Sequence, residues 1–343
     1  MNQVGIDSTA FRKALLKWYR AEGRRLPWRE TDDPYAILVS EFMLQQTQVV
    51  TAIPYYHRWL ERFPTVDALA AASMQDLLAL WQGLGLYRRA HNLQRCARMV
   101  VEKWGGVFPR SVEELRALPG VGRYTAGAVA SFAYNLPAPV VDGNVARVLS
   151  RLLNLQEPVD TPVGQAILWD AAERIAQCDQ PRLINNALME LGAIVCKARN
   201  PACGRCPVRR ACRAVDPETL PRKRPQPPTQ TRVERYWWFY DGARVLLEQR
   251  QASARWAGLW TLPILDADSP AGLTTFVSLR HHIMRFLVDL QLVRGDHASL
   301  PEPPGSSQRW QPVAALGELP MPTPHRRVIG LALAAETPGC DLR

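Results

Sequence analysis

Four cysteines, Cys196, Cys203, Cys206 and Cys212, follow the spacing C-x6-C-x2-C-x5-C, while the other three, Cys96, Cys178 and Cys340, lie far apart. A segment this crowded with soft sulfur donors is constrained to wrap something small, and the tight bite of Cys203 and Cys206 is one that metal sites favour. Zinc would accept four thiolates as readily as an iron–sulfur cluster would. The spacing matches neither the repeated C-x2-C pairs of zinc ribbons nor the ferredoxin runs, so both stay open at this point. Disulfides are the plain alternative. The odd cysteine total, and an opening (MNQVGIDSTAFRKALLKWYR) with no apolar core or cleavage site, weigh against them. A reducing, cytoplasmic location is therefore expected.

A chain of 343 residues can bury two hydrophobic cores. Its formal charge of +10 and pI near 9.5 favour a polyanionic partner. No apolar run approaches the roughly 20 residues that span a bilayer, which speaks against a membrane protein.

Residues 1–215 read as helices, with apolar residues at helical spacing over 66–81, 90–104 and 111–118 and Gly or Pro between them. A run rich in Pro, Arg and Lys over 216–232 suits an extended linker. Residues 233–335 read as a smaller α/β domain, followed by a tail over 336–343. Asp241-Gly242, between two β-rich runs, predicts a hairpin, and Leu279–Val293 mixes helix and strand character.

Two carboxylates stand out. Asp33-Pro34 is a helix start, and from it Ile37, Glu41, Leu44 and Gln48 stack along one face. Glu41 sits there among apolar side chains, and desolvation should raise its pKa into the range of a general acid. A Glu paired with a buried Arg or a backbone amide is the bland reading of the same pattern. Asp142, in VVDGNVARV, begins another helix, where backbone N–H groups and the helix dipole should keep it ionised. A cap and nothing more is its plain reading. Together they divide as acid plus electrostatic stabiliser chemistry requires. The amides of Gln45–Gln48 suit base edges or, equally, a solvated face. In LPGVGRYTAGA, Gly120 and Gly122 allow a close backbone approach at a helix start with Arg123 beside it, a site suited to a DNA phosphate.

In this order the motifs resemble the helix-hairpin-helix DNA glycosylases with a C-terminal [4Fe-4S] cluster, and among them the MutY-type adenine DNA glycosylases. The matching stretches are LPWR (26–29), SEFMLQQTQV (40–49), GLGLYRRAHNL (83–93), LPGVGRYTAGA (118–128), VVDGNVARV (140–148), NNALMELGAIVC (185–196) and the four cysteines. The resemblance implies an all-α glycosylase domain with a [4Fe-4S] cluster on Cys196, Cys203, Cys206 and Cys212, joined to an α/β Nudix-like domain.

It also implies roles. Glu41 would protonate adenine N7, and Asp142 would stabilise the oxocarbenium ion, with Tyr124 and Asn144 beside them. Arg29 and Glu190 would line the pocket of the flipped adenine, and Gln46 would contact the opposite base. Endonuclease III-type relatives carry a Lys where Tyr124 stands. An imine is out of reach for Tyr, so a monofunctional glycosylase is expected, acting as a monomer on double-stranded DNA holding an A:8-oxoguanine or A:G mispair.

Three departures are visible. No Glu-rich Nudix box follows 245–263, so pyrophosphate hydrolysis is not expected. Ile283, Met284 and Arg285 stand where the family's 8-oxoguanine-sensing loop reads Phe-Ser-His. Leu86 replaces the Tyr that wedges beside the lesion, and it stacks less well. A diverged glycosylase with another opposite base or target lesion, and an endonuclease III-like lyase, are the rival readings.

Overall fold

The computed structural model describes residues 6, 8–251, 254–265, 273–283, 285–296 and 307–336. They fall into two compact units, one of residues 1–71 and 92–225, the other of 72–91 and 226–343.

The first unit is helical. Helix α1 (Thr9–Glu22) buries Phe11, Leu15 and Trp18. Helix α2 (Pro34–Leu44) starts where Asp33 accepts from the N–H groups of Tyr35 and Ala36. Every residue from Tyr35 to Met43 is buried, so α2 runs through the core rather than along it. It ends at Leu44, and Gln46 takes a positive φ of 58° before α3 (Val49–Arg62). The expected stacking of Gln48 above Glu41 on one helix therefore does not occur. A helix over 66–81 also divides, into α4 (Val66–Ala71) and α5 (Met74–Trp81), which falls in the second unit, because Ser73 caps α5 with its hydroxyl.

Helices α6 (Arg88–Trp104) and α7 (Val112–Arg116) lead to a tight turn and α8 (Arg123–Tyr134). Gly120 holds φ at +78°, and a Cβ there would meet Asn92 at 2.7 Å. Helix α9 (Gly143–Leu153) is capped by Asp142. With α10 (Pro162–Ala176) and α11 (Pro181–Glu190), α1 and α9 enclose a core of Leu15, Val148, Leu168, Ile184 and Leu188. Helix α11 then widens into a π-turn over Leu191–Val195, an irregularity often found at functional sites.

Among its described residues the second unit has two three-stranded sheets. In one, β1 (Gln230–Trp238) pairs in parallel with β5 (Phe286–Arg294), which pairs antiparallel with β4 (Thr275–Ile283). In the other, β2 (Arg244–Gln249) lies between β3 (Trp260–Thr261) and β6 (Gln308–Pro312). Helix α12 (Thr323–Glu336) adds Val328 and Ile329 to a core with Trp238, Val245 and Leu292.

Four sequence expectations need correction here. The Asp241-Gly242 turn closes, with Leu246 N–H donating to the Phe239 carbonyl at 3.1 Å. Its two strands nonetheless part into different sheets, because β1 takes β5 as its partner. Leu279–Val293 is two strands and a turn. The segment expected as linker is shorter than 216–232. Leu220, Arg222 and Arg224 are hydrogen-bonded to Arg151, Val159 and Asp160 of the helical unit, and β1 already begins at Gln230. Residues 72–91, expected within the helical domain, belong to the second unit, where Gln75 donates to Gly258 and Tyr87 to Met321. Of the expected tail, 337–343 lies outside the described residues.

Candidate active site

A cavity of about 360 Å³ in the helical unit is lined by side chains from α2, α8, α9 and the π-turn region. Of the expected site residues it brings together Arg29, Glu41, Gln46, Tyr124, Asp142 and Asn144. Glu41 is 2% exposed, and its Oε2 has no hydrogen-bond partner. Burial pushes its pKa up to about 7, a rise that the Tyr124 hydroxyl counters by hydrogen bonding and the Asp142 charge reinforces. Tyr124 is held far above its ordinary range, by burial first and by the Glu41 and Asp142 charges next, so it stays a neutral donor.

Asp142 differs from expectation. Its carboxylate does cap α9, accepting from Val145 N–H at 2.7 Å and from Asn144 Nδ2 at 3.0 Å. Its pKa is nevertheless raised, because burial outweighs those bonds. The contrast with Glu41 survives in the hydrogen bonding: Asp142 has donors for its charge, whereas one Glu41 oxygen has none. Asn144 in turn accepts from Arg147 at 2.9 Å, and Arg147 donates to the carbonyls of Gly192 and Cys196 at 2.7 and 2.8 Å. Gly192 is what lets α9 come this close, since a Cβ there would meet the Asn144 Cβ at 2.7 Å.

Glu190 is fully buried and accepts from Arg24 Nε at 2.6 Å and Arg29 Nη1 at 2.9 Å. Burial pushes its pKa up, but the two arginines outweigh it and hold the carboxyl below its ordinary range. Glu190 thus fixes the two arginines at the cavity wall. Sequence reasoning missed Arg24, Arg147 and Asn186. Arg24 lies two residues before the LPWR motif, and Arg147 sits inside VVDGNVARV, so only their partners, distant in sequence, were hidden.

At the hairpin, Gly122 caps α8 without a side-chain bond, leaving backbone N–H groups open, and nothing fills the space where its Cβ would stand. The Arg123 guanidinium lies 4.0 Å from the centre of the Trp169 ring. In the second unit, Leu86 is 42% exposed with φ at 44°, on a turn whose Leu84 and Gly85 carbonyls both accept from Arg89. Ile283 pairs with Phe286 at the end of the β4–β5 hairpin. The Phe286 ring carries Arg285 at 5.1 Å and Arg232 at 3.6 Å. Met284 lies outside the described residues.

The four clustered cysteines share one loop after the π-turn, Cys196 and Cys206 half-buried, Cys203 and Cys212 exposed. Burial first, then the neighbouring thiols, push Cys206 up to about 11. A single zinc would draw four sulfurs to about 2.3 Å from one point. Four soft thiolate donors on one loop suit a zinc ion or a cluster of several irons, and all four cysteines would hold either.

Comparison with known proteins agrees. The family of HhH-GPD superfamily base excision DNA repair proteins matches residues 39–171, the iron–sulfur binding domain of endonuclease III matches 196–212, and a NUDIX domain matches 235–331. The cysteine loop is therefore a [4Fe-4S] site. The adenine DNA glycosylase of Homo sapiens is 50% identical over 61% of this chain and 40% of its own length. The rat protein is 49% identical over 61% and 42%, so the chain spans about two-fifths of these mammalian relatives. The adenine DNA glycosylase of Buchnera aphidicola subsp. Baizongia pistaciae is 36% identical over 75% of this chain and 74% of its own. Among solved structures, a thermostable thymine-DNA glycosylase superposes with a TM-score of 0.57 at 29% identity, covering 62% of this chain and 97% of that one. An endonuclease III in a non-covalent DNA complex gives 0.50 at 28% identity over 59% and 94%. With a helical repair domain, a cluster loop, a Nudix-like domain and a relative matched over most of its length, this chain belongs to the adenine DNA glycosylase family.

Proposed function

We propose that the protein is a monofunctional DNA glycosylase that removes adenine mispaired with 8-oxoguanine or guanine. The observation that carries this reading is one cavity holding a buried, proton-retaining Glu41 and a hydrogen-bonded Asp142. An adenine extruded into that space loses stacking worth a few kcal/mol, least when it is mispaired. Protonated Glu41 donates to N7, which makes the base a better leaving group. As the glycosidic bond breaks, positive charge grows on the sugar, and the Asp142 carboxylate stabilises it. Asn144 and Val145 N–H hold that carboxylate in place. Water completes the hydrolysis and leaves an abasic site, because Tyr124 offers no amine for a Schiff base.

The hairpin backbone at Gly120 and Gly122 and the Arg123 side chain grip a phosphate in this account, and the net charge of +10 favours the duplex as a whole. We further propose that the protein works as a monomer in the cytoplasm, on the nucleoid if its source is bacterial. Single-turnover adenine release from matched duplexes containing A:8-oxoguanine, A:G, A:C and A:T tests the substrate. Fastest release from A:8-oxoguanine is expected. Equal rates on A:G would mean the diverged Ile283-Met284-Arg285 loop does not read the lesion, and no release from any duplex would overturn the assignment.

A further inference from the structure

Arg151 is 1% exposed and projects from α9 into the cysteine loop. Its Nη1 donates to the Cys196 sulfur at 3.3 Å and to the Lys197 carbonyl at 2.7 Å. Nη2 donates to the Ala198 carbonyl at 3.1 Å, and Nε to the Leu220 carbonyl at 3.2 Å. None of these partners is a carboxylate. A guanidinium keeps its charge at any physiological pH, and a buried charge needs an opposite one. Carbonyl dipoles satisfy its hydrogen bonds without neutralising it. Arg147, one turn earlier on α9, adds a second positive charge nearby.

We infer that Arg151 is the buried counter-cation of the iron–sulfur cluster and raises the cluster's reduction potential through its N–H···S bond to Cys196. Four thiolates outweigh the positive charge of the cluster core, so the assembly is anionic, and Arg151 is a buried cation bonded directly to a ligand sulfur. Hydrogen bonds to ligand sulfurs and local charge set such potentials. Positive charge favours the more reduced and more negative form. Losing it must therefore lower the potential and make the cluster easier to oxidise. Arg151 reaches no atom of the cavity, so it is a positioning and tuning residue and not a catalytic one.

The inference rests on the four cysteines holding the cluster, so iron and sulfide content is measured on every sample. Full-length cluster-loaded protein is compared with Arg151→Gln, which removes the charge, and Arg151→Lys, which keeps it. Protein-film voltammetry reads the potential. Arg151→Gln is expected to raise the oxidised-to-reduced ratio at a fixed potential about tenfold, about 59 mV for one electron. Arg151→Lys is expected to stay near the parent protein. An unchanged potential in fully loaded Arg151→Gln would overturn the inference. Should that variant not fold or load, electron–nuclear double resonance on unmutated protein with ¹⁵N-labelled arginine, its cluster oxidised by one electron with ferricyanide to a paramagnetic state, decides: guanidinium nitrogen coupled to the cluster spin supports it, and none detected refutes it. Protein without iron in all samples would instead refute the cluster assignment.

Discussion

Replacing Glu41 by Gln separates two consequences of burying one carboxyl. With a folded-state pKa of about 7, half of the molecules carry the proton at pH 7, about nine-tenths at pH 6 and about one-tenth at pH 8. Adenine release that uses this proton falls about tenfold for each pH unit above 8 and levels off below 6. Glu41→Gln removes the acid, which costs about 10²- to 10⁴-fold in rate. Stability moves the other way. The folded pKa lies above the unfolded one, so the native state binds the extra proton. The Glu41 contribution is fully present below about pH 4.5 and is lost as pH rises through 7. That shift corresponds to about 3 kcal/mol. Urea unfolding of both proteins from pH 4.5 to 8 measures the difference, since groups away from the cavity titrate alike in the two. Glu41→Gln should gain about 3 kcal/mol relative to the parent across that window. A pH-independent difference, or a release rate that ignores pH between 6 and 8.5, would refute the argument that burial tunes this acid.

Four further outcomes follow from the same structure. Glu190→Ala leaves the mostly buried Arg29 and the more exposed Arg24 without their carboxylate and should destabilise the helical unit by about 3 kcal/mol, read by urea unfolding. Arg123→Met should lower the salt slope of DNA binding by about 1, and Trp169→Leu, which removes its platform, should reproduce most of that loss without changing the single-turnover rate at saturation. His325 is fully buried, its Nε2 unpartnered, and burial followed by the Arg255 charge holds its pKa far below 6.5. Its contribution to stability is present above 6.5 and lost as pH falls below it, so the second unit should melt earlier at pH 5 and His325→Gln should flatten that dependence. Changing Met284→Ser together with Arg285→His should raise the ratio of A:8-oxoguanine to A:G release; an unchanged ratio would remove this turn from lesion reading.

Local chemistry was legible wherever neighbours in sequence decide it. Asp33-Pro34 starts α2, Glu41 is surrounded by the apolar residues beside it, and the two glycines at 120 and 122 shape the turn before α8. What stayed hidden depends on partners far along the chain. Desolvation of Asp142 comes from elements packed around it, so its cap predicted the wrong sign. Glu190 reads as a polar residue near the end of a helix, yet its arginine partners stand 161 and 166 residues away. β1 and β2 carry a strong hairpin signal, and a parallel pairing with β5 overrides it. The departure of residues 72–91 from the helical unit has no local marker either, because helices α5 and α6 are amphipathic in any setting.

The most direct test of the central claim is strand cleavage of an A:8-oxoguanine duplex under single turnover, split into samples with and without alkali, beside Glu41→Gln. Cleavage that needs alkali and disappears with Glu41→Gln is the predicted result. Nicking without alkali would place a lyase at the cavity despite Tyr124, and full cleavage by Glu41→Gln would contradict the acid on which the account rests.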